Sequence, residues 1–349
     1  MAVMSKPELA KTAQSIVAPG RGVLAADESS NTIKRRFDAI GVESTADNRR
    51  DYRELLFRAN DAMSKYISGV ILYDETIRQK AQDGTPLVEL IQRAGSIPGI
   101  KVDKGAVPLP FHPDEVVTEG LDGLKARLVE YRDMGARFAK WRAVITIGSG
   151  IPSWACIDAN AEALALYAAI CQDNDIVPIV EPEVLMDGDH DIDRCADVTE
   201  LVLTTVFSRL HETRVDLEGI VLKPNMVVPG TKSTKRASVE EVAERTVRTL
   251  KACVPPAVPG IAFLSGGQGD EEATAHLNAI NRFGGTPWRI TFSYGRALQA
   301  APQRAWSGRP DRIGVAQAAF RDRAEMNSLA SLGKWRPELE KQKSPAAVA

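Results

Sequence analysis

The sequence has 349 residues, of which 44% are hydrophobic and 26% charged, with a formal net charge of -2. These proportions are typical of a globular protein with a large core, and the small net charge argues against a nucleic-acid partner or a membrane-surface role. No apolar run is long enough to span a membrane and the first residues lack a signal-peptide core, so we expect a cytoplasmic protein. The four cysteines lack CxxC spacing, which favours free thiols.

Short apolar runs alternate with longer amphipathic segments along the whole chain. The runs that predict strands are, in order, GVLAAD, SGVILYD, IPGIKVD, ARFAKWRAV, IVPIVEPEV, GIVLK, GIAFLSGG and WRITFSYG. Helices are predicted at residues 6–17, 47–60, 152–173, 192–212, 239–253 and 313–332, with Thr45 and Ser238 as caps.

Eight strand–helix units in one chain predict a (β/α)8 TIM barrel with extra helices at both ends. We expect one domain spanning residues 1–349, with a flexible tail from about residue 335. A doubly wound sheet is the competing architecture, but the turn GVLAADESSN has no GxGxxG pattern. In a barrel, the active site lies at the carboxyl ends of the strands.

Ionisable residues mark the ends of five predicted strands. They are Asp27, Lys101, Lys140 with Arg142, Glu181 with Glu183, and Lys223. Residues two apart on a strand share a face, so Lys140 and Arg142 point together, as do the two glutamates. A lone pair of this kind is usually structural. Because buried ion pairs rarely repay their desolvation, five such ends on one rim predict a functional site.

Glycine-rich turns follow the last two predicted strands. SGGQG and YGR place Gly266, Gly267 and Gly295 at predicted helix starts, where backbone N–H groups bind phosphate. Arg296 adds a guanidinium fork suited to phosphate oxygens. A second cationic group could bind another phosphate across the mouth; it contains Arg35, Arg36, Lys101 and Arg142. Two such groups suit a bisphosphate.

Lys223 directly follows the apolar run, where solvation is poor. A lysine that reaches out to solvent is the ordinary explanation. Near a second ammonium, that of Lys140, its neutral amine is favoured and can attack a ketone carbonyl. Breaking the adjacent C–C bond then needs a base, for which we choose Asp27, and a proton shuttle, either Glu181 or Glu183. The histidines show no metal-ligand spacing, so neither a metal nor another cofactor is expected. Spacing alone does not choose between Lys223 and Lys140 as the nucleophile.

Together these segments resemble one family, the class I (Schiff-base) fructose-1,6-bisphosphate aldolases. The matching motifs span almost the entire chain: LAADES, GIKVDKG, FAKWR, IVPIVEPE, GDHD, LEGIVLKPNMV, VPPAVPGIAFLSGGQ and FSYGRALQ. The resemblance implies reversible cleavage of fructose 1,6-bisphosphate to dihydroxyacetone phosphate and glyceraldehyde 3-phosphate. It implies that Lys223 forms the imine, that Asp27 handles the C4 hydroxyl proton, and that both glutamates move protons with Lys140.

The resemblance also implies how the substrate is bound and how the protein assembles. Lys101 and Arg142 would bind the C6 phosphate, whereas Ser265, Gly266 and Arg296 would bind the C1 phosphate. A homotetramer is expected on the same grounds. The alternatives are the same chemistry on sedoheptulose 1,7-bisphosphate or fructose 1-phosphate, and a non-catalytic scaffold barrel.

Two departures from the family pattern affect these expectations. Thr32 and Arg35 stand where the family usually has serine and lysine, so Arg36 is the safer phosphate ligand. No tyrosine follows Tyr294, whereas animal and plant relatives end in a tyrosine that assists proton exchange. Protonation of the carbanion is therefore expected to be slow or to be served by another group.

Overall fold

The computed structural model describes residues 6–341, and its centre is a closed barrel of parallel strands. The strands of the described chain are β1 (Gly22–Ala26), β2 (Ile67–Leu72), β3 (Ile97–Lys101), β4 (Gly105–Pro108), β5 (Val116–Glu119), β6 (Phe138–Ile145), β7 (Val177–Val184), β8 (Val221–Leu222), β9 (Gly260–Phe263) and β10 (Arg289–Tyr294). The barrel order is β1-β10-β9-β8-β7-β6-β3-β2, and β4 pairs antiparallel with β5 outside the barrel. The predicted (β/α)8 barrel is confirmed.

Helices surround the barrel and extend the chain at both ends. They are α1 (Lys6–Ile16), α2 (Ser30–Asp38), α3 (Ala46–Phe57), α4 (Asn60–Tyr66), α5 (Asp74–Arg78), α6 (Leu87–Arg93), α7 (Leu124–Asp133), α8 (Trp154–Asp173), α9 (Ile192–Glu212), α10 (Val239–Cys253), α11 (Asp270–Phe283), α12 (Arg296–Trp306), α13 (Ile313–Ser331) and α14 (Pro337–Lys341). The predicted caps are confirmed, since Thr45 accepts from Asn48 N and Ser238 from Glu241 N. The helix predicted at residues 47–60 is wrong at its end, because Ala59 leaves helical geometry (ψ 67°) and α4 then begins.

The lower part of the barrel interior is apolar. Val23, Phe138, Ile179 and Val221 pack there with α1, which contributes Leu9, Ala13 and Ile16 and so closes the amino-terminal end. The Phe138 ring reaches across the neighbouring strands. A Cβ atom added at Gly69 would lie 2.9 Å from this ring, and one at Gly99 closer still, so both positions require glycine.

The strand period places a charged layer directly above this apolar layer. Side chains two residues apart share a face, and at β1, β6, β7 and β8 an interior apolar residue is followed two positions later by a charged one. Asp27 follows Ala25, Lys140 follows Phe138, Glu181 follows Ile179, and Lys223 follows Val221. Lys140 and Glu181 lie inside β6 and β7, not at the strand ends as predicted, because both strands continue to Ile145 and Val184.

The carboxyl-terminal segment packs on the barrel helices as far as it is described. Trp335 is buried; its backbone N–H donates to Asn278 Oδ1 on α11 (3.0 Å) and its indole N–H to Glu340 (3.0 Å). The rest of the predicted flexible tail, residues 342–349, lies outside the described residues. Within residues 6–341 we find no helix with the length and apolar character needed to cross a bilayer.

Candidate active site

A cavity of about 1150 Å³ opens at the carboxyl ends of the barrel strands. Gly267, a predicted phosphate-binding position, does not line this cavity, whereas the other predicted site residues do: Asp27, Thr32, Arg35, Arg36, Lys101, Lys140, Arg142, Glu181, Glu183, Lys223, Ser265, Gly266, Gly295 and Arg296. Because the barrel closes, side chains from distant parts of the sequence share this one space.

Four charges of alternating sign form the centre of the cavity, and three of them are buried. Lys223 Nζ lies 3.1 Å from Glu181 Oε1, and Lys140 Nζ lies 3.3 Å from the other oxygen of the same carboxylate. Lys140 Nζ also lies 2.7 Å from Asp27 Oδ2. The side chains of Lys223, Glu181 and Lys140 are at most 5% exposed, so little water screens these interactions.

The local charges fix the ionisation of Asp27 and Lys140. Burial lowers the pKa of Lys140, but the carboxylates of Asp27 and Glu181 outweigh burial and raise it well above its usual value. Burial likewise raises the pKa of Asp27, but Lys140 and Lys223 outweigh it and hold that pKa well below its usual range. Lys140 is therefore a fixed ammonium, and Asp27 is a carboxylate that can accept a proton.

The two glutamates that share a face of β7 have different partners. Glu181 contacts both lysines, whereas Glu183 forms an ion pair with the Arg142 guanidinium, whose side chain is 42% exposed. The sequence did not decide which of the two glutamates is the proton shuttle. The geometry puts Glu181 beside the lysines and Glu183 beside a cation of the cavity rim.

One cationic group lies at the end of β3, inside β6 and on α2. Lys101 Nζ lies 2.5 Å from Asp103 Oδ1, and Arg36 forms an ion pair with Glu28. Arg35 is exposed, and its side chain has no ion pair within residues 6–341. Thr32 lies in the first turn of α2, with its hydroxyl 3.1 Å from that of Ser29, the cap of this helix.

A second group, predicted from the sequence to bind phosphate, lies at the ends of β9 and β10. Arg296 donates from Nη2 to the Gly266 carbonyl oxygen (2.5 Å), so the two turns are joined. Gly295 directly precedes α12, as predicted. The prediction that Gly266 and Gly267 start a helix is wrong. Gln268 N donates to Ser265 O (3.1 Å) to close a separate turn, Gly266 has φ +53°, and α11 begins only at Asp270.

The strand order puts these two groups on opposite sides of the mouth. In a closed barrel of eight strands, strands four places apart face each other. β9 is four places from β3, and β10 is four places from β6. The cavity can therefore hold a molecule with an anionic group at each end, and the buried lysines and carboxylates lie between them.

Sequence reasoning missed several residues that support the site. Asp103 accepts from the backbone N–H of Arg142 (3.2 Å) as well as pairing with Lys101, and Glu28 pairs with Arg36. Asp103 stands two residues after Lys101, and Glu28 stands directly after Asp27. This closeness to predicted site residues is the feature of the sequence that could have indicated them. Among the residues described, no group of three or more His, Cys, Asp or Glu side chains could hold a metal ion.

A closed barrel with buried lysines at its mouth, between two groups of cationic side chains, suits an enzyme of the Schiff-base lyase class. The comparisons with known proteins give the family. A family model described as "Fructose-bisphosphate aldolase class-I" matches residues 8–348. The chain belongs to the class I fructose-bisphosphate aldolase family, whose members are aldehyde-lyases.

Similar proteins come from distant organisms. A Xanthomonas campestris pv. campestris protein named "Probable fructose-bisphosphate aldolase class 1" is 57% identical over 95% of this chain and all of its own length. Fructose-bisphosphate aldolase of Echinococcus multilocularis is 54% identical over 95% of this chain and 92% of its own. A structure of fructose-bisphosphate aldolase from Plasmodium falciparum, in complex with TRAP and a small-molecule inhibitor, is 52% identical, covers 95% of both chains and has a TM-score of 0.93.

Proposed function

We propose that this chain cleaves fructose 1,6-bisphosphate reversibly into dihydroxyacetone phosphate and glyceraldehyde 3-phosphate through an imine on Lys223. The observation that carries this proposal is the buried Lys223 amine on the cavity wall, 3.1 Å from Glu181 Oε1. Lys140 is the competing amine. It lies between two carboxylates that raise its pKa, and a permanently protonated amine is the poorer nucleophile.

The chemical steps follow from these neighbours. The Lys223 nitrogen adds to the C2 carbonyl carbon, and loss of water gives a protonated imine, with Glu181 giving and taking the protons. Asp27 then accepts the proton of the C4 hydroxyl as the C3–C4 bond breaks. The bonding electron pair moves into the imine to form an enamine, and glyceraldehyde 3-phosphate leaves. Protonation at C3 and hydrolysis of the imine release dihydroxyacetone phosphate and restore the lysine.

Lys140 and Glu183 have supporting roles in this scheme. The Lys140 ammonium holds the Asp27 carboxylate ionised and oriented, and it shares Glu181 with Lys223. Glu183 fixes the Arg142 guanidinium on the side of the cavity where a phosphate would bind. Proton movement is therefore assigned first to Glu181, because its carboxylate is the one in contact with both amines.

The phosphates bind at the two groups that face each other across the mouth. We assign the C6 phosphate to Lys101, Arg142 and the α2 residues Thr32, Arg35 and Arg36. We assign the C1 phosphate to Ser265, Gly266, Gly295 and Arg296. Support comes from the shared cavity, the strand order and the exposed Arg35 and Arg296 side chains.

Kinetics on a panel of ketose phosphates test the substrate assignment. Fructose 1,6-bisphosphate is expected to have the highest kcat/KM. Fructose 1-phosphate has one phosphate and reaches only one of the two groups, so its KM should be raised. Sedoheptulose 1,7-bisphosphate is one carbon longer than fructose 1,6-bisphosphate, so its kcat/KM should be lower. A higher kcat/KM for either of these two sugars, or no triose phosphate from pure protein, would contradict the proposal.

Family likeness also supports proposals about assembly and location. We infer a homotetramer of single-domain chains that works in the cytoplasm. Light scattering of the purified protein tests the assembly, with a mass four times that of the 37.9 kDa chain expected. A monomer or dimer at working concentration would contradict it.

A further inference from the structure

Two buried side chains from different helices hold the backbone around Asp27. β1 ends at Ala26, so Asp27 lies just beyond the strand pairing that fixes the residues before it. Arg53 on α3 reaches this point with a side chain only 2% exposed. Its Nε donates to Ala26 O (3.3 Å) and its Nη2 to Glu28 O (3.2 Å), so one guanidinium holds the carbonyl on each side of Asp27.

Gln299 on α12 makes the second set of contacts. It is 1% exposed, and its side-chain nitrogen donates to Ala25 O (2.6 Å) and to Glu28 Oε1 (2.6 Å). The backbone from Ala25 to Glu28 is therefore held at three carbonyls, those of Ala25, Ala26 and Glu28. A buried polar side chain placed this way costs desolvation, which its hydrogen bonds to the backbone offset.

Glu28 connects this support to the cavity rim. Its carboxylate is buried and meets Gln299, the Arg53 guanidinium (3.4 Å) and the Arg36 guanidinium. Arg36 lines the cavity, while Arg53 and Gln299 do not. The network thus runs from a phosphate-binding position, through Glu28, to the backbone on both sides of Asp27.

We propose that Arg53 and Gln299 are positioning residues that set the place of the Asp27 carboxylate for C–C bond cleavage. The proposal rests on the function given above, in which Asp27 takes the C4 hydroxyl proton. The Asp27 carboxylate must face both Lys140 and the substrate hydroxyl, and a misplacement of about 1 Å at a reacting group can cost about 100-fold in rate. Neither residue lines the cavity, so both act through Asp27.

This role makes a prediction that separates two steps of the reaction. Dihydroxyacetone phosphate has no C4 hydroxyl, so its imine with Lys223 does not need Asp27 as the base. Cleavage of fructose 1,6-bisphosphate does need it. Loss of the Arg53 contacts should therefore slow cleavage while borohydride trapping of dihydroxyacetone phosphate on Lys223 continues.

A matched control is present elsewhere in the chain. Arg323 on α13 has a side chain 8% exposed, pairs with Glu340, and donates to Asp270 O (3.0 Å) and Thr274 Oγ1 (2.6 Å), away from the cavity. Arg323→Lys and Arg323→Met remove a buried guanidinium with similar contacts. They show how a general loss of stability affects the rate of cleavage and the rate of borohydride trapping.

The experiment compares Arg53→Lys, Arg53→Met and Gln299→Met with the two control variants, Arg323→Lys and Arg323→Met, all in the full-length protein. We expect kcat for cleavage to fall about 100-fold in Arg53→Met and about 10-fold in Arg53→Lys, which keeps the charge but loses the fork. KM and the trapping rate should stay within threefold of wild type. The Arg323 variants should lower the Tm without changing the ratio of cleavage to trapping.

Specific outcomes overturn the proposal. Cleavage and trapping that fall together in the Arg53 variants, or a cleavage kcat within twofold of wild type in all three variants, would show that the network serves stability alone. If Arg53→Met does not fold, Arg53→Lys and Gln299→Met decide the question by the same ratio. Failure of the proposed function looks different, because the wild-type protein itself would then neither trap dihydroxyacetone phosphate on Lys223 nor cleave the bisphosphate.

Discussion

Replacing Glu181 by glutamine removes the one carboxylate shared by both buried lysines. The change keeps the shape of the side chain but leaves two ammonium groups facing a neutral amide. At the observed separations of 3.1 and 3.3 Å, each contact corresponds to about 5 kcal/mol of Coulomb attraction at an effective dielectric constant of 20. Glutamine carries no charge, so the variant avoids the cost of burying a carboxylate, and this offsets part of the lost attraction. Breaking a buried ion pair costs about 3–5 kcal/mol in practice. We therefore expect Glu181→Gln to lower the free energy of unfolding by about 3–5 kcal/mol.

Glu183→Gln provides the matched control, because it makes the same chemical change two residues further along the same face. Its partner Arg142 has a side chain that is 42% exposed, so solvent screens the ion pair and the expected loss is about 1 kcal/mol or less. Guanidinium chloride unfolding at one fixed protein concentration measures both losses. The same two variants also separate the catalytic roles. Imine trapping should slow by about 100-fold or more in Glu181→Gln and much less in Glu183→Gln. Equal losses of stability in the two variants, or a larger loss for Glu183→Gln, would refute the reasoning.

Two further predictions test other parts of the site. Lys140 and Lys223 hold the pKa of Asp27 below its usual range, so the stability it contributes is present above the unfolded-state pKa of about 3.9 and is lost as the pH falls through the folded-state pKa. The difference in unfolding free energy between wild type and Asp27→Asn should be constant from pH 7 to about pH 5 and shrink below about pH 4; a difference that grows in acid would contradict this sign. Arg296→Ala should raise KM for the bisphosphate by about 10-fold or more with a smaller change in kcat, because it removes binding present throughout the reaction. Steady-state kinetics check this, and an unchanged KM would count against the phosphate assignment.

The sequence predicted the barrel and its charged layer because both follow from local periodicity. Because side chains alternate along a strand, Phe138 and Lys140 share one face of β6, and Ile179 and Glu181 share one face of β7. This holds whatever the rest of the chain does. Helix α9 was predicted at its observed bounds, Ile192–Glu212, and in the structure the Asp191 side chain caps it by accepting from Arg194 N.

Other features depend on packing that local patterns do not encode. Glu181 and Glu183 share a face, so period alone could not tell which of them meets the lysines. The β4–β5 hairpin was missed because prolines interrupt its alternating pattern. Arg53 stands in RRDYRELL, where it looks like an ordinary charged helix residue. Only the packing of α3 against the end of β1 buries it beside Asp27.

The most direct test of the central claim is to identify the residue that carries the imine. Purified protein is reduced with borohydride in the presence of dihydroxyacetone phosphate, with and without EDTA, and the modified peptide is mapped by mass spectrometry. We predict a single adduct, on Lys223, with activity before reduction unchanged by EDTA and no adduct in Lys223→Met. An adduct on Lys140, or cleavage that EDTA abolishes and that leaves no adduct, would contradict a Schiff base at Lys223.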